Sequence, residues 1–457
     1  RAIKVWNLIM VVNFQRSNHH TFLKMMIVAV FFSCVVPTVM AELPPGAEVP
    51  SKGLGEIEGY LSPPILSRPY FICADVIAVS GIVPGAQVEL EVVIDGQTTT
   101  LNQVIPHDTQ AAFQLPRPFE TIQDTARARQ ILGADKSSWD RGSSSSDNHA
   151  LDVSATFPDG LPVPRVYWES FFNCGIRVGV SNIIPGSSEV WATVHPPSDP
   201  EYTLFKRLKV AGHASEGDGQ AFRTESRIVG HYLFCGETAY SRQAGHNYEV
   251  IDLPQMPNGP PEPKIGKVFE DQNIIDVNGL MNGAKVLVYD TQDQLIASGG
   301  TVSESRGLRA NRALVAGENL RVQQTYEACN LSSPKDGALV EVLPCSELGA
   351  PEIRRPVPGD EEVVVVKNAP GAAIVIFDAS NKVIAHGSAP RVPLARPLVT
   401  TEELRVIQVL GNCRSSMAYK INVDCGPKSR GELDLLNLLP NRAQRRGNQL
   451  LTANVCP

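Results

Sequence analysis

The chain has no G-x-S-x-G elbow, no H-E-x-x-H helix, no Walker G-x-x-x-x-G-K-[ST] loop and no strand-linked G-x-G-x-x-G. Nothing in it therefore presents an activated serine, a histidine pair for zinc or a glycine cradle for phosphate. Histidine is scarce, nine in 457 residues, and His19 and His20 precede a segment that reads as a removable leader. No C-x-x-C pair accompanies the cysteines, so structural zinc is not expected, and neither is any other metal or cofactor. The acidic pairs Asp290 with Asp293 and Glu361 with Glu362 lie in turns and joints without EF-hand spacing, which reads as solvated turn chemistry. Asp and Glu outnumber Lys and Arg, 48 to 41, for a formal net charge of −7. A nucleic-acid binder needs a dense cationic face to displace counterions, so that partner class is excluded. An enzyme is unsupported on these grounds, although a triad assembled in space leaves no local signature.

What the sequence has in quantity is punctuation: 36 Gly and 35 Pro, against 43% hydrophobic residues. That balance fits short strands and many turns better than long helices. The length implies two to four domains. Near the start, Lys24 precedes the apolar run "MMIVAVFFSCVVPTVMA", with Val39 and Ala41 as small residues before Glu42. This is the pattern of a signal peptide cut after Ala41, and the run is shorter than the roughly 20 residues that span a bilayer. Residues 1–41 are set aside on that basis as an upstream segment plus leader, with no membrane span expected once it is removed.

The turn glycines Gly85, Gly186, Gly283 and Gly371 recur at spacings of 101, 97 and 88 residues within "IVPGAQVEL", "IIPGSSEVW", "LMNGAKVLV" and "NAPGAAIVI". About 20 residues ahead of each stands a proline before an apolar residue: Pro64-Ile65, Pro164 with Val166, Pro263 with Ile265, and Pro351 with Ile353. Downstream, "ARARQILGADKSS", "RIVGHYLFCGETAYS", "LRVQQTYEACNLSS" and "LRVIQVLGNCRSS" each run an alternating strand into a small polar loop. Within a unit the apolar period is two, as in "KVLVYD", and the turns "DTQDQ" and "DASNK" use residues that tolerate left-handed backbone. Ile374 and Ile376 point one way from their strand and Val375 and Phe377 the other, so both of its faces call for a cover. The reading is all-β: four modules at 60–158, 159–256, 257–345 and 346–425, then a tail, 426–457, joined by Pro/Gly-rich segments across which few contacts are expected.

With those phrases in place, the unit resembles the immunoglobulin-like modules found in tandem in bacterial secreted and cell-surface proteins. The resemblance spans about residues 60–425 and implies two-sheet sandwiches. Eight cysteines follow the leader: Cys73, Cys174, Cys235, Cys329, Cys345, Cys413, Cys425 and Cys456. Cys73 and Cys174 share one repeat position, and Cys235, Cys329 and Cys413 share another. The resemblance implies an intersheet bridge Cys174–Cys235, with Cys329–Cys345 and Cys413–Cys425 stapling the last strands of the later modules. Cys73 and Cys456 are left over, with a pairing to each other as one option.

Sandwich modules bind through end loops, which makes "GADKSSWDRGSSSSDNHA" and "GETAYSRQAGHNY" the places to look for ligand contacts. Trp139, Asp140 and Arg141 in the first, and Tyr240 and Arg242 in the second, are the candidate ligand residues. The competing reading is a loop whose Trp folds back on its own module. The expected function is that of a secreted or surface-displayed rod, without catalysis, recognising an extracellular glycan or protein. The alternatives are a structural spacer of a larger exported protein and an enzyme with an unrecognised site.

Overall fold

The computed structural model describes residues 59–423, apart from 141–147, 167–170, 188, 196–202, 205–208, 212–213, 219–220, 242–249, 302–303, 335–336 and 416–418. The expected leader, Arg141, Arg242, Cys425, Cys456 and the tail from 426 lie outside the described residues.

The first repeat contains strands β1 (Ile65–Leu66), β2 (Val76–Ser80), β3 (Gln87–Ile94), β4 (Gln97–Val104), β5 (Gln110–Gln114), β6 (Thr125–Leu132) and β7 (Asp135–Lys136). One sheet runs β1-β2-β5 and the other β4-β3-β6-β7, all antiparallel. This is an immunoglobulin-like sandwich with its fourth strand beside its third. Period-two patterning produces it directly: along β3, Val88, Leu90, Val92 and Ile94 are buried and the intervening residues half-buried. The same order of sheets recurs from Lys264 to Glu341 and from Glu352 to Asn422. The second repeat, with sheets around Arg177–Ser181 and Arg227–Phe234, follows the plan with Ala214–Asp218 in the place of β5 and one added edge strand, Lys209–Ala211, paired to it. The proline-led openings are strands, as the sequence implies: Ile65–Leu66, Arg165–Val166, Lys264–Ile265 and Glu352–Ile353.

The repeated words have identifiable duties. In the phrase R-V-x-Q and its variants, Gln130, Gln324 and Gln408 sit buried on the sixth strand of their sandwiches. Each accepts at Oε1 from the backbone of its own Pro–Gly-type turn: Val83 at 2.9 Å, Met281 at 2.8 Å and Ala369 at 2.6 Å. Each donates from Nε2 to the segment leading into its sandwich, at Ser62, Pro261 and Gly349, all at 2.7 Å. In the second sandwich the Tyr232 hydroxyl does the leading-segment half, donating to Pro162 O at 2.9 Å. The loop serines answer the same strand: Ser137, Ser333 and Ser415 accept from the N–H groups of those glutamines, and Ser241 accepts from Gly230. A buried amide satisfied on both sides fixes loop and strand together, since each unpaired group would cost about 1–3 kcal/mol. The Asp turns behave as read. Asp290 Oδ1 accepts from Gln292 and Gln294, Asp378 Oδ1 accepts from Ser380 and Lys382, and Asp293 and Asn381 are left-handed.

Backbone hydrogen bonds, disulfides and close turn contacts cross the joints, which corrects the expectation that few contacts would do so. Cys73, Cys174, Asp271 and Gly359 each stand three residues ahead of the second strand of their sandwich, with φ of 70°, 66°, 61° and 88°. At the first three of these positions the next sandwich arrives with its turn glycine. Asp75 N–H donates to Gly186 O and Ile176 N–H to Gly283 O, both at 3.1 Å. A Cβ on Gly186 would collide with Ala74, one on Gly283 would lie 2.9 Å from Gly175 Cα, and one on Gly371 3.0 Å from Asn273 Oδ1. Glycine is needed there for close approach as well as for its positive φ. The turn that recurs through the sequence is thus the piece that docks one sandwich on the one before it.

The cysteine pairing is corrected by the same geometry. The bridges are Cys73–Cys235, Cys174–Cys329 and Cys345–Cys413, with Cα separations of 5.3, 5.8 and 5.0 Å, inside the usual range. None of the pairs Cys174–Cys235, Cys329–Cys345, Cys413–Cys425 or Cys73–Cys456 is formed, because Cys73, Cys174, Cys329, Cys345 and Cys413 each have another partner. An intersheet bridge needs two inward-facing strand positions. Cys73, Cys174 and Cys235 instead occupy left-handed turns at sandwich ends, where the facing partner belongs to the neighbouring sandwich.

The ends of the array also meet. Ser62 N–H donates to His386 O at 2.9 Å, and Ser62 Oγ accepts from His386 N–H at 3.1 Å and donates to Pro393 O at 2.7 Å. Ala373, Val375, Val383 and Val409 of the fourth sandwich belong to one apolar cluster with Leu61, Leu66 and the first core, whereas Ile374 and Ile376 face their own core. The cover that the doubly apolar strand requires is supplied by this seam. Among the described residues no helix is long and apolar enough to cross a membrane.

Candidate binding face on the second sandwich

The candidate loop residues separate once their surroundings are seen. Trp139 folds back onto the outer face of its own sheet, where the guanidinium groups of Arg127 and Arg129 lie 4.4 and 4.1 Å from its ring centroid. Those arginines are paired with Glu91 and Glu89 across the strands, so the ring is half-buried over an internal charge ladder. Asp140 is buried. It pairs with Arg68 and accepts from Ala128 N–H at 2.8 Å, and burial raises its carboxyl above the ordinary range despite the arginine. Both residues make their contacts within their own sandwich.

Tyr240 is different. It is 57% exposed and closes a row of rings on the outer face of the sheet of the second sandwich that contains Arg227–Phe234. Trp191 on Glu189–His195 is directly opposite His231 on Arg227–Phe234, which is opposite Tyr240 on Glu237–Tyr240. Directly paired residues of antiparallel strands share a face, so the three rings line up across three neighbouring strands. Their centroids are 4.5 and 5.4 Å apart, tilted 55° and 31°. Val190 and Ala192 on either side of Trp191 are fully buried in the core, and this alternation drives Trp191 outward. The readable signal was therefore "EVWATV", where the Trp occupies the phase opposite to its apolar neighbours. His231 itself is 8% exposed, held between the outer two rings.

The corresponding faces elsewhere are committed differently. The first sandwich has the Glu89, Glu91, Arg127 and Arg129 ladder under Trp139; the third sets Arg321 over Tyr289, 5.0 Å from the centroid; the fourth turns its apolar face into the seam. A group of metal-type ligands among the described residues, Glu270 with Cys345 and Cys413, has its two sulfurs bonded to each other. It offers an ion one carboxylate.

No family model matches the chain, and no curated protein matches it. Solved structures similar to it include a biofilm-associated protein BSP domain (9% identity, TM-score 0.20, covering 80% of this chain and 97% of that one). Another is the FN1-FN3 domains of chicken CNTN1 (10%, TM-score 0.18, 58% and 99%). A third is a tetra-tandem repeat in the extending region of a large adhesion protein (10%, TM-score 0.18, 76% and 95%). At such TM-scores they carry no argument about this chain, whose sandwich character rests on its own strand order.

Proposed function

We propose that this is an extracellular or cell-surface protein of adhesion type, without catalysis of its own, which holds a glycan on the ring row of its second sandwich. The row of Trp191, His231 and Tyr240 is the observation that carries the reading. Flat rings on a rigid sheet offer apolar area at low conformational cost to the C–H faces of a sugar, and the exposed Tyr240 hydroxyl supplies a polar partner beside them. Three disulfides are consistent with an oxidising compartment, where such bonds persist. Glycan-array binding of the whole chain tests the proposal. Trp191→Ala and Tyr240→Ala are expected to abolish the signal, and Trp139→Ala to leave it. Binding that survives both row substitutions sinks the assignment, and an intact chain that binds no glycan favours the spacer reading.

A further inference from the structure

The docking joint is built from two halves, and among the described residues one copy of each has no partner half seated against it. The receiving half is the left-handed residue ahead of the second strand. Its N–H donates to an equivalent carbonyl in every sandwich: Cys73 to Phe119, Cys174 to Phe222, Asp271 to Leu314 and Gly359 to Leu398. The arriving half is the turn glycine together with the turn after the sixth strand. At the first three notches an arriving turn is seated. At Gly359 no described atom lies within 4 Å of an added Cβ. The first sandwich carries the arriving half without a notch: a Cβ on Gly85 would meet only its own Leu132, at 3.9 Å. Gly133, which follows β6 as Cys235 follows Arg227–Phe234 and shares its left-handed backbone, has nothing within 4 Å.

We propose that the notch at Gly359 receives the Val83-Pro84-Gly85 turn of a second copy of this chain, so that copies associate head to tail. The occupant is argued from the joints already formed. "VPGA" at 83–86 repeats "APGA" at 369–372, the turn seated on the third sandwich, in all but its first residue. Beside the notch, between the first and fourth sandwiches, lies a cleft of about 410 Å³ lined by Tyr60, Pro64, Glu361, Arg396 and Pro397 among others. The two halves are different surfaces, so the contact is heterologous and builds an open filament or a ring rather than a closed twofold pair. It lacks the disulfide of the first joint because glycine stands at both positions where that joint has Cys73 and Cys235. Association is therefore reversible and concentration-dependent.

Two measurements on the whole chain test this. Sedimentation of the unmodified protein over a concentration series is expected to show mass rising beyond the monomer. Second, Gly133→Cys chains are mixed with Gly359→Cys chains under a mild oxidant, and the products are mapped by non-reducing mass spectrometry. Cysteine tolerates this backbone, as Cys73 and Cys235 show with φ of 70° and 50°. A 133–359 crosslink is expected well above the yield from a control pair, Gly133→Cys with Gly96→Cys. A strictly monomeric chain with crosslinking at the control level overturns the proposal, and that is also the outcome if the chain's own C-terminal residues fill the notch. Should either variant fail to fold, the sedimentation series alone decides.

Discussion

The joint between the first and second sandwiches and the joint between the third and fourth have the same backbone and different chemistry. In the first, left-handed Cys73 is bonded to Cys235 in the turn after the sixth strand. In the third, Asp271 occupies the Cys73 position, and its Oδ2 accepts from Asn412 N–H at 2.9 Å in the equivalent turn. The covalent link has moved to Cys345, in the connecting segment, and Cys413, two residues past left-handed Gly411. What is common is the close approach of a turn glycine to the residues just after the left-handed one. The cross-link is an addition that can be placed at more than one point around that approach.

Removing the cross-link from the first joint has the largest expected effect. Cys73 and Cys235 are 162 residues apart, and closing such a loop stabilises by about 5 kcal/mol in the chain-entropy picture. Replacing both by Ser is expected to lower the unfolding free energy from urea titration by an amount of that order. A loss below about 1 kcal/mol would mean that the seated turn, not the bond, holds the joint. The turn itself is tested by Gly186→Ala. Positive φ and collision with Ala74 act together there, and the cost is expected at about 3 kcal/mol. Gly85→Ala has the same φ problem with open space around it and is expected to cost about 1 kcal/mol. Equal losses at the two glycines would contradict the docking role assigned to Gly186.

The seam between the first and fourth sandwiches differs from both joints: among the described residues no disulfide crosses it, and a buried histidine lies in it. His386 is 3% exposed, its Nε2 has no hydrogen-bond partner, and burial pushes its pKa down to about 4 from the usual 6.5. The folded chain therefore binds fewer protons at this site than the unfolded chain between those values. Its contribution is complete above about pH 6.5 and falls as the pH drops toward 4, by about 3 kcal/mol in all. His386→Leu is expected to flatten that part of the stability-pH curve. If the slope between pH 6.5 and 4 is unchanged in the variant, the seam histidine is not its source.

Much of the scaffold was legible because its signals are local. Alternation along Gln87–Ile94, the Asp turns at 290 and 378, and the two apolar faces of Ala373–Phe377 each follow from neighbours in sequence. Cys73 and Cys174 do share one left-handed position in the repeat, yet the cysteine partners were not legible, since pairing depends on which sandwich end faces which and no residue encodes that alone. Trp139 was a candidate ligand residue whose competing reading was a ring folded back on its own module, and Arg127 and Arg129, on a strand several residues earlier, hold it that way. Trp191 was passed over although its phase was readable, because its companions His231 and Tyr240 are brought beside it only by strand pairing.

The smallest effect separates the two ways Asp271 can hold the third joint. If the contact with Asn412 is a hydrogen bond accepted by a well-placed oxygen, Asp271→Asn keeps an acceptor at the same reach. Its cost should stay below about 0.5 kcal/mol, within the range of ordinary surface changes. Asp271→Ala removes the acceptor and leaves the Asn412 N–H without it, for about 1–2 kcal/mol. Asn also tolerates the left-handed backbone at this position, with φ of 61°, better than Ala does, so part of the Ala loss is backbone strain. Asp271→Gly divides the two contributions, since it relieves the strain while still removing the acceptor. Urea midpoints for the three variants should then fall in the order Asn, Gly, Ala, with Asn near the unmodified chain. An Asn variant as damaged as the Ala variant would show that the negative charge, and not the hydrogen bond, does at this joint what the disulfide does at the first.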